Sequence, residues 1–311
     1  MIRKHTRRAA KAAFAISLGV AILVGLVAVA AVRPASARTA AGPTIVIGTK
    51  NFPEQFILGQ LYKQALEHAG FTVSYKENIG STELIQTSLT SGKINMYPEY
   101  TGVIVQVVFH RPLSAKTAHA TYQLAKKLQE KRGFTLFKPT PFFDTDAIAV
   151  LKTTAAKYKL KSVADLKKVD GLTLAGLPEF RTRNTGLVGM KRIYGVKNAD
   201  FIPLAGISPY AALDSGKALA AAVFSTDPPL GAGSKYAVLK DPKHLFGFQN
   251  VAPVVSKKLA AELGPKFRQT IDRVSAKLTT NAIIAMNKAV IVGKRSPASV
   301  AKAFLKANKL V

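Results

Sequence analysis

No cysteine occurs among the 311 residues, which excludes disulfides, thiolate metal ligands, a cysteine nucleophile and a lipid-modified cysteine. Acidic residues are scarce: 17 Asp and Glu stand against 45 Lys and Arg, for a formal net charge of +28. Histidine is limited to five scattered positions, His5, His68, His110, His119 and His244, too dispersed for a metal-ligand spacing. Common catalytic signatures are also missing. The chain has no G-x-S-x-G, no H-E-x-x-H, no P-loop and no G-x-G-x-x-G after a strand, so no local pattern specifies an enzyme, a metal or a cofactor.

What is present fits a folded, exported chain. With 48% hydrophobic and 20% charged residues, the chain is long enough to bury one large core or two modest ones. The first residues, Met1 to Lys11, form a basic leader, and Ala12 to Val32 is an unbroken run of apolar and small residues. Ala35-Ser36-Ala37 then gives a small-x-small pattern, so residues 1–37 read as a signal peptide cut after Ala37. The run is also long enough to remain as a membrane anchor. Either outcome puts the rest of the chain outside the cytoplasm, in a periplasm or at the outer face of the membrane. Without the leader's six basic residues, 39 basic and 17 acidic residues remain, a balance of +22. Such a charge favours anionic surroundings. The basic residues are nevertheless spread out and no nucleic-acid motif accompanies them, so nucleic acid is not an expected partner.

After a short linker (38–43), apolar runs alternate with amphipathic segments, the rhythm of an α/β fold. Thr44 to Gly48 reads as a buried parallel strand. Asn51 and Glu54 predict a capping box for the helix that follows, whose apolar face carries Ile57, Leu58, Leu61, Ala65 and Leu66 until Gly70 ends it. A strand at Phe71 to Tyr75, a helix at Thr82 to Thr90 and a strand at Ile94 to Tyr97 complete a first β-α-β-α-β set. A second set has strands at Ala147 to Leu151, Leu172 to Leu177, Phe201 to Leu204 and Ala220 to Phe224. Helices near Val163, Gly186 and Pro209 separate them. From Lys257 the chain reads as helical, with a last helix starting near Ser296. Tyr97, Tyr194 and Tyr210 read as packing residues, and Asp227 as a turn or hinge support.

Three segments carry a resemblance: GTKNFPEQFILGQLY from Gly48, NIGSTELIQTSLTSGKINMYPEYTG from Asn78 and YAALDSGKALAAAVFSTD from Tyr210. Together they are similar to the substrate-binding proteins of ABC importers for the osmoprotectants glycine betaine, choline and carnitine. The resemblance implies a two-lobed α/β fold of the type II periplasmic-binding-protein kind, with two crossovers and a ligand cleft between the lobes. It divides the chain into a first lobe (44–145), a second lobe (146–248) and a return to the first lobe (249–311). It also implies a monomer that binds a small quaternary amine, works with a membrane permease, and carries no cofactor and no catalytic residue.

A trimethylammonium group donates no hydrogen bond, so aromatic faces must hold it by cation–π attraction, with a carboxylate as helper. The carboxylate of a betaine asks for Arg, Lys or backbone N–H groups. Carried over motif by motif, the resemblance assigns Lys50, Tyr100, Asp144, Arg183 and Phe224 to the ligand, Arg183 (in competition with Arg181) as its carboxylate partner. Two departures stand out. Asp146 occupies a position where the family's strand has an aromatic residue, and Gln249-Asn250 stands where the family has Tyr-Asn, with Phe248 one place earlier. Asp146, Phe248 and Gln249 are therefore also candidates. The altered cage points to quaternary amines or to a more cationic or more polar solute; a basic envelope-associated interaction protein is the reading from another class.

Overall fold

Short apolar and β-branched runs build two five-stranded sheets, each covered by helices on both faces. The computed structural model describes residues 42–112, 115–204 and 208–311; the leader, the apolar run and the expected cleavage site lie outside the described residues. No helix among the described residues is long and apolar enough to cross a membrane. In chain order the strands are β1 (Ile45–Lys50), β2 (Val73–Gly80), β3 (Met96–Tyr100), β4 (Phe134–Leu136), β5 (Asp146–Leu151), β6 (Thr173–Gly176), β7 (Asp200–Pro203), β8 (Ala220–Phe224), β9 (Tyr236–Leu239) and β10 (Val251–Ser256).

The first sheet has the order β2-β1-β3-β10-β4, with β1 parallel to β2 and β3, and β10 antiparallel to β3 and β4. The second has the order β7-β6-β8-β5-β9, with β6 parallel to β7 and β8, and β5 antiparallel to β8 and β9. In each sheet one antiparallel strand, β10 or β5, enters just after the chain has passed over from the other lobe. This is the expected two-lobed α/β architecture.

Burial on both faces explains why central strands such as β1, β5 and β10 read as nearly continuous apolar runs. Ile45 and Ile47 of β1 enter one core cluster, which also takes Phe267, Ile271 and Val274 of the helix Lys257–Lys277. Val46 faces the other cluster, with Ile85, Ile94 and Val254. The second lobe is built likewise, with Ile148 and Leu174 on one face and Ala149 and Val223 on the other.

The passages between lobes lie side by side. Phe143 and Asn250 form an antiparallel bridge, and the Asp144 N–H donates to the Gln249 carbonyl at 3.1 Å. The Asn250 amide donates to the carbonyls of Thr140 and Phe142, both at 3.1 Å, which ties the two segments together. A paired double strand of this kind can bend as a unit, as a hinge requires.

Local expectations fail where tertiary contacts claim a side chain. Helix α1 (Pro53–His68) has Phe52 as N-cap with no side-chain cap, so the Asn51–Glu54 capping box does not form. Pro53 at the first helical position has no N–H to satisfy, and the Glu54 carboxylate is bonded elsewhere. Helix α2 spans Thr82–Thr90 as expected.

Candidate functional site

A cavity of about 620 Å³ lies between the lobes, inside the usual range for small-molecule sites. Strand ends and helix starts deliver its walls. β1 ends at Lys50 and runs through Phe52 into α1, β3 ends at Tyr100, β5 begins at Asp146, and β8 ends at Phe224.

Three aromatic rings form a stack that crosses the cleft. Phe52 lies 6.2 Å from Tyr100 at an interplanar angle of 26°, and 5.0 Å from Phe224 at 21°. The Lys50 ammonium sits 4.4 Å from the Tyr100 ring centroid and 5.5 Å from that of Phe52. A cation therefore already rests on these π faces. It is held there by a buried ion pair, Lys50 Nζ to Glu99 Oε1 at 2.6 Å. Glu99 Oε1 also accepts the Tyr100 N–H at 2.8 Å.

Behind the rings lies a network of carboxyl groups. Glu54 accepts from the Tyr100 hydroxyl at 2.8 Å, from Thr226 Oγ1 at 2.6 Å and from Asn287 Nδ2 at 2.9 Å. These bonds join α1 and β3 of the first lobe to the loop after β8 and to the helix Thr280–Ile291. Asp144 accepts from Ser225 Oγ and the Thr226 N–H, each at 3.1 Å. Asp227 accepts from the Tyr210 hydroxyl at 2.9 Å and the Phe224 N–H at 3.0 Å. Burial raises the pKa of all three carboxyls; these hydrogen bonds oppose that rise and do not overcome it. Asp146 faces Phe224 across the β5–β8 register. Its burial outweighs the pull of Arg183 and Lys50, so its pKa is pushed up to about 6.

Arg183 reaches across the cleft to the other lobe. Its Nε and Nη2 donate to the two carboxylate oxygens of Glu83 on α2, at 3.2 and 3.0 Å. Burial alone would raise the Glu83 pKa; the hydrogen bond and charge of Arg183 prevail and hold it at about 2.

Seven of the eight candidates, Lys50, Tyr100, Asp144, Asp146, Arg183, Phe224 and Gln249, line this one cavity. Phe248 does not: its ring stacks on His244, with centroids 6.2 Å apart, beside a second cavity. Gln249 is spent on the backbone, accepting the Val103 N–H at 2.9 Å and donating to the Phe246 carbonyl at 2.8 Å. Arg183 lines the cleft, whereas Arg181 is exposed. Sequence reasoning missed Phe52, Glu54 and Glu83, and it took Tyr210 for core only, although its ring also lines the cavity. The K-N-F-x-E-Q motif contained the signal for the first two, because its Phe and Glu follow Lys50 at the strand end. Tyr97 is a fully buried packing residue, as expected.

Comparison with known proteins gives a consistent picture. Residues 43–307 match the family described as the substrate-binding domain of ABC-type glycine betaine transport systems. A glycine-betaine-binding protein of Pseudomonas aeruginosa is 32% identical over 288 residues, covering 89% of this chain and 91% of that protein. The solved structure of apo YehZ from Escherichia coli is 29% identical with a TM-score of 0.60, covering 86% of this chain and 99% of the other. A crystal structure titled glycine betaine/carnitine/choline ABC transporter is 26% identical with a TM-score of 0.67, covering the same shares.

Proposed function

The chain belongs to the family of substrate-binding domains of ABC-type glycine betaine transport systems, and from that premise we propose that it captures a quaternary ammonium solute in the cleft between its lobes. Members of this family bind solute outside the cytoplasm for an importer rather than convert it. The observation that carries the proposal is the stack of Phe52, Tyr100 and Phe224, two rings from one lobe and one from the other, set beside Asp144 and Asp146. Rings shared between lobes reward a cation most when the lobes are closed, because only then do all the π faces reach it. Capture therefore favours the closed form, which a single copy of the protein presents to the permease. The ammonium displaces the Lys50 head group from the Tyr100 face or joins it at the edge of the stack. Asp144 braces the crossover through Ser225 and Thr226.

Calorimetric titration with choline, glycine betaine, carnitine, ectoine, proline and cationic amino acids tests this reading. Saturable binding of a quaternary amine is the expected result. A response to another solute alone, with none of the quaternary amines bound, would overturn the ligand class and leave the family assignment intact.

A further inference from the structure

The balance of acidic to basic residues in the cleft is opposite to that of the chain. Five of the 17 acidic residues line the cavity, Glu54, Asp144, Asp146, Glu179 and Asp227, but only two of the 45 Lys and Arg residues do, Lys50 and Arg183. Both of these cations are already paired with protein carboxylates outside the lining, Lys50 with Glu99 and Arg183 with Glu83. A ligand carboxylate would have to displace one of those partners, and the displaced carboxylate would then lose its cation. For Glu99, fully buried, that loss is severe.

The acidic residues differ from one another in the same respect. Glu54, Asp144 and Asp227 each accept two or more hydrogen bonds from protein donors. Asp146 and Glu179 accept none from the described residues, and of the two Asp146 has Arg183 and Lys50 only as neighbouring charges while pairing across the sheet with an aromatic residue. It stands opposite Phe224, so an unpartnered carboxylate and an aromatic face occur side by side on one wall of the cavity. Together they meet the needs of a cation that has its own hydrogen-bond donor and no acid group.

We propose that Asp146 is a specificity-determining residue, making the cleft select a net-positive quaternary ammonium ligand of the amino-alcohol kind over a zwitterionic betaine. This inference rests on the capture reading above. The ammonium packs on Phe224 and its ring neighbours, and its hydroxyl donates to the Asp146 carboxylate. A betaine presents a carboxylate to a cavity with no unpaired cation and meets repulsion from Asp146.

The test titrates choline and glycine betaine into the purified protein and into Asp146→Asn and Asp146→Ser variants, with thermal unfolding as the check on folding. The wild-type protein is expected to bind choline about tenfold or more tightly than glycine betaine, in line with an opposite charge at close range. Both variants are expected to bring the two affinities within about threefold, mainly by weakening choline. Equal or tighter binding of betaine by the wild-type protein, or an unchanged ratio in folded variants, overturns the inference alone. If neither compound binds the wild-type protein, the capture reading fails and the inference fails with it.

Discussion

The main cleft and the smaller cavity near His110 and His244 draw on the same two lobes, yet one lining is rich in acidic residues and the other in basic ones. The smaller one, of about 330 Å³, is lined by His110, Arg111, Arg192, Lys243 and His244 with no carboxylate among its lining residues. The main cleft concentrates carboxyls and aromatic rings. In a chain of net charge +28, a basic cavity is what composition alone would produce. The acidic, aromatic cleft departs from composition, and holding carboxyl groups partly out of water is costly unless hydrogen bonds or a cation stabilise them. The contrast supports the proposed ligand site in the cleft.

The most damaging change to this contrast is Tyr100→Ala. It removes a ring from the stack and the hydroxyl that bonds Glu54, so quaternary amine affinity is expected to fall by about a hundredfold, on the order of 2–3 kcal/mol. Calorimetry checks this, and unaltered binding would locate the cation elsewhere. Next comes pH. Asp146 has a pKa pushed up to about 6, so it is mostly neutral below that value and charged above it. Burial raises the Asp146 pKa most, Arg183 and then Lys50 pull it down, and Glu179 pushes it up. Choline affinity is expected to rise as pH increases from 5 to 7, by about tenfold. A flat profile, or one that Asp146→Asn does not flatten, would detach Asp146 from the ligand. The stability effect has the reverse sign: ionising a carboxyl whose folded pKa is raised costs the unliganded protein stability as pH rises through 6.

A smaller effect sharpens the comparison from the other side. Glu83→Ala leaves Arg183 without its partner, which gives a betaine carboxylate a free two-pronged donor. Glycine betaine affinity is expected to increase about threefold while choline changes little. Loss of both affinities would instead show that the cross-lobe pair is needed for closure. Because the Glu83 pKa is held at about 2, the pair contributes above pH 4.5 and fades as pH falls toward 2. The smallest expected effect belongs to the second cavity. Arg192→Ala with Lys243→Ala should leave quaternary amine affinity within about twofold, since neither side chain lines the main cleft. A large change would make the two cavities one functional system.

Much of this was legible in the chain itself. Strand β8 and helix α2 fall on their expected residues, Ala220–Phe224 and Thr82–Thr90, because an unbroken apolar run marks the one and near-neighbour start and stop residues bound the other. Strand β4, only three residues long, and strands β9 and β10 escaped notice because each takes its place by pairing with a segment remote in sequence. Among site residues, Lys50, Tyr100, Asp144 and Phe224 stood out by motif. Glu83 did not, since an acidic residue in the first turn of a helix reads as a response to the helix dipole. Only the approach of Arg183, a hundred residues later, gives it a second role.

The order of apolar runs, helix starts and motif residues determined that this protein folds as two α/β lobes and belongs to its family, because these features depend on periodicity and on near neighbours along the chain. Tertiary structure alone decided which charges are spent and which are left over. Lys50 and Arg183 lose their availability to Glu99 and Glu83, and Asp146 keeps its own, because ion pairing depends on distances between segments that the chain order does not set.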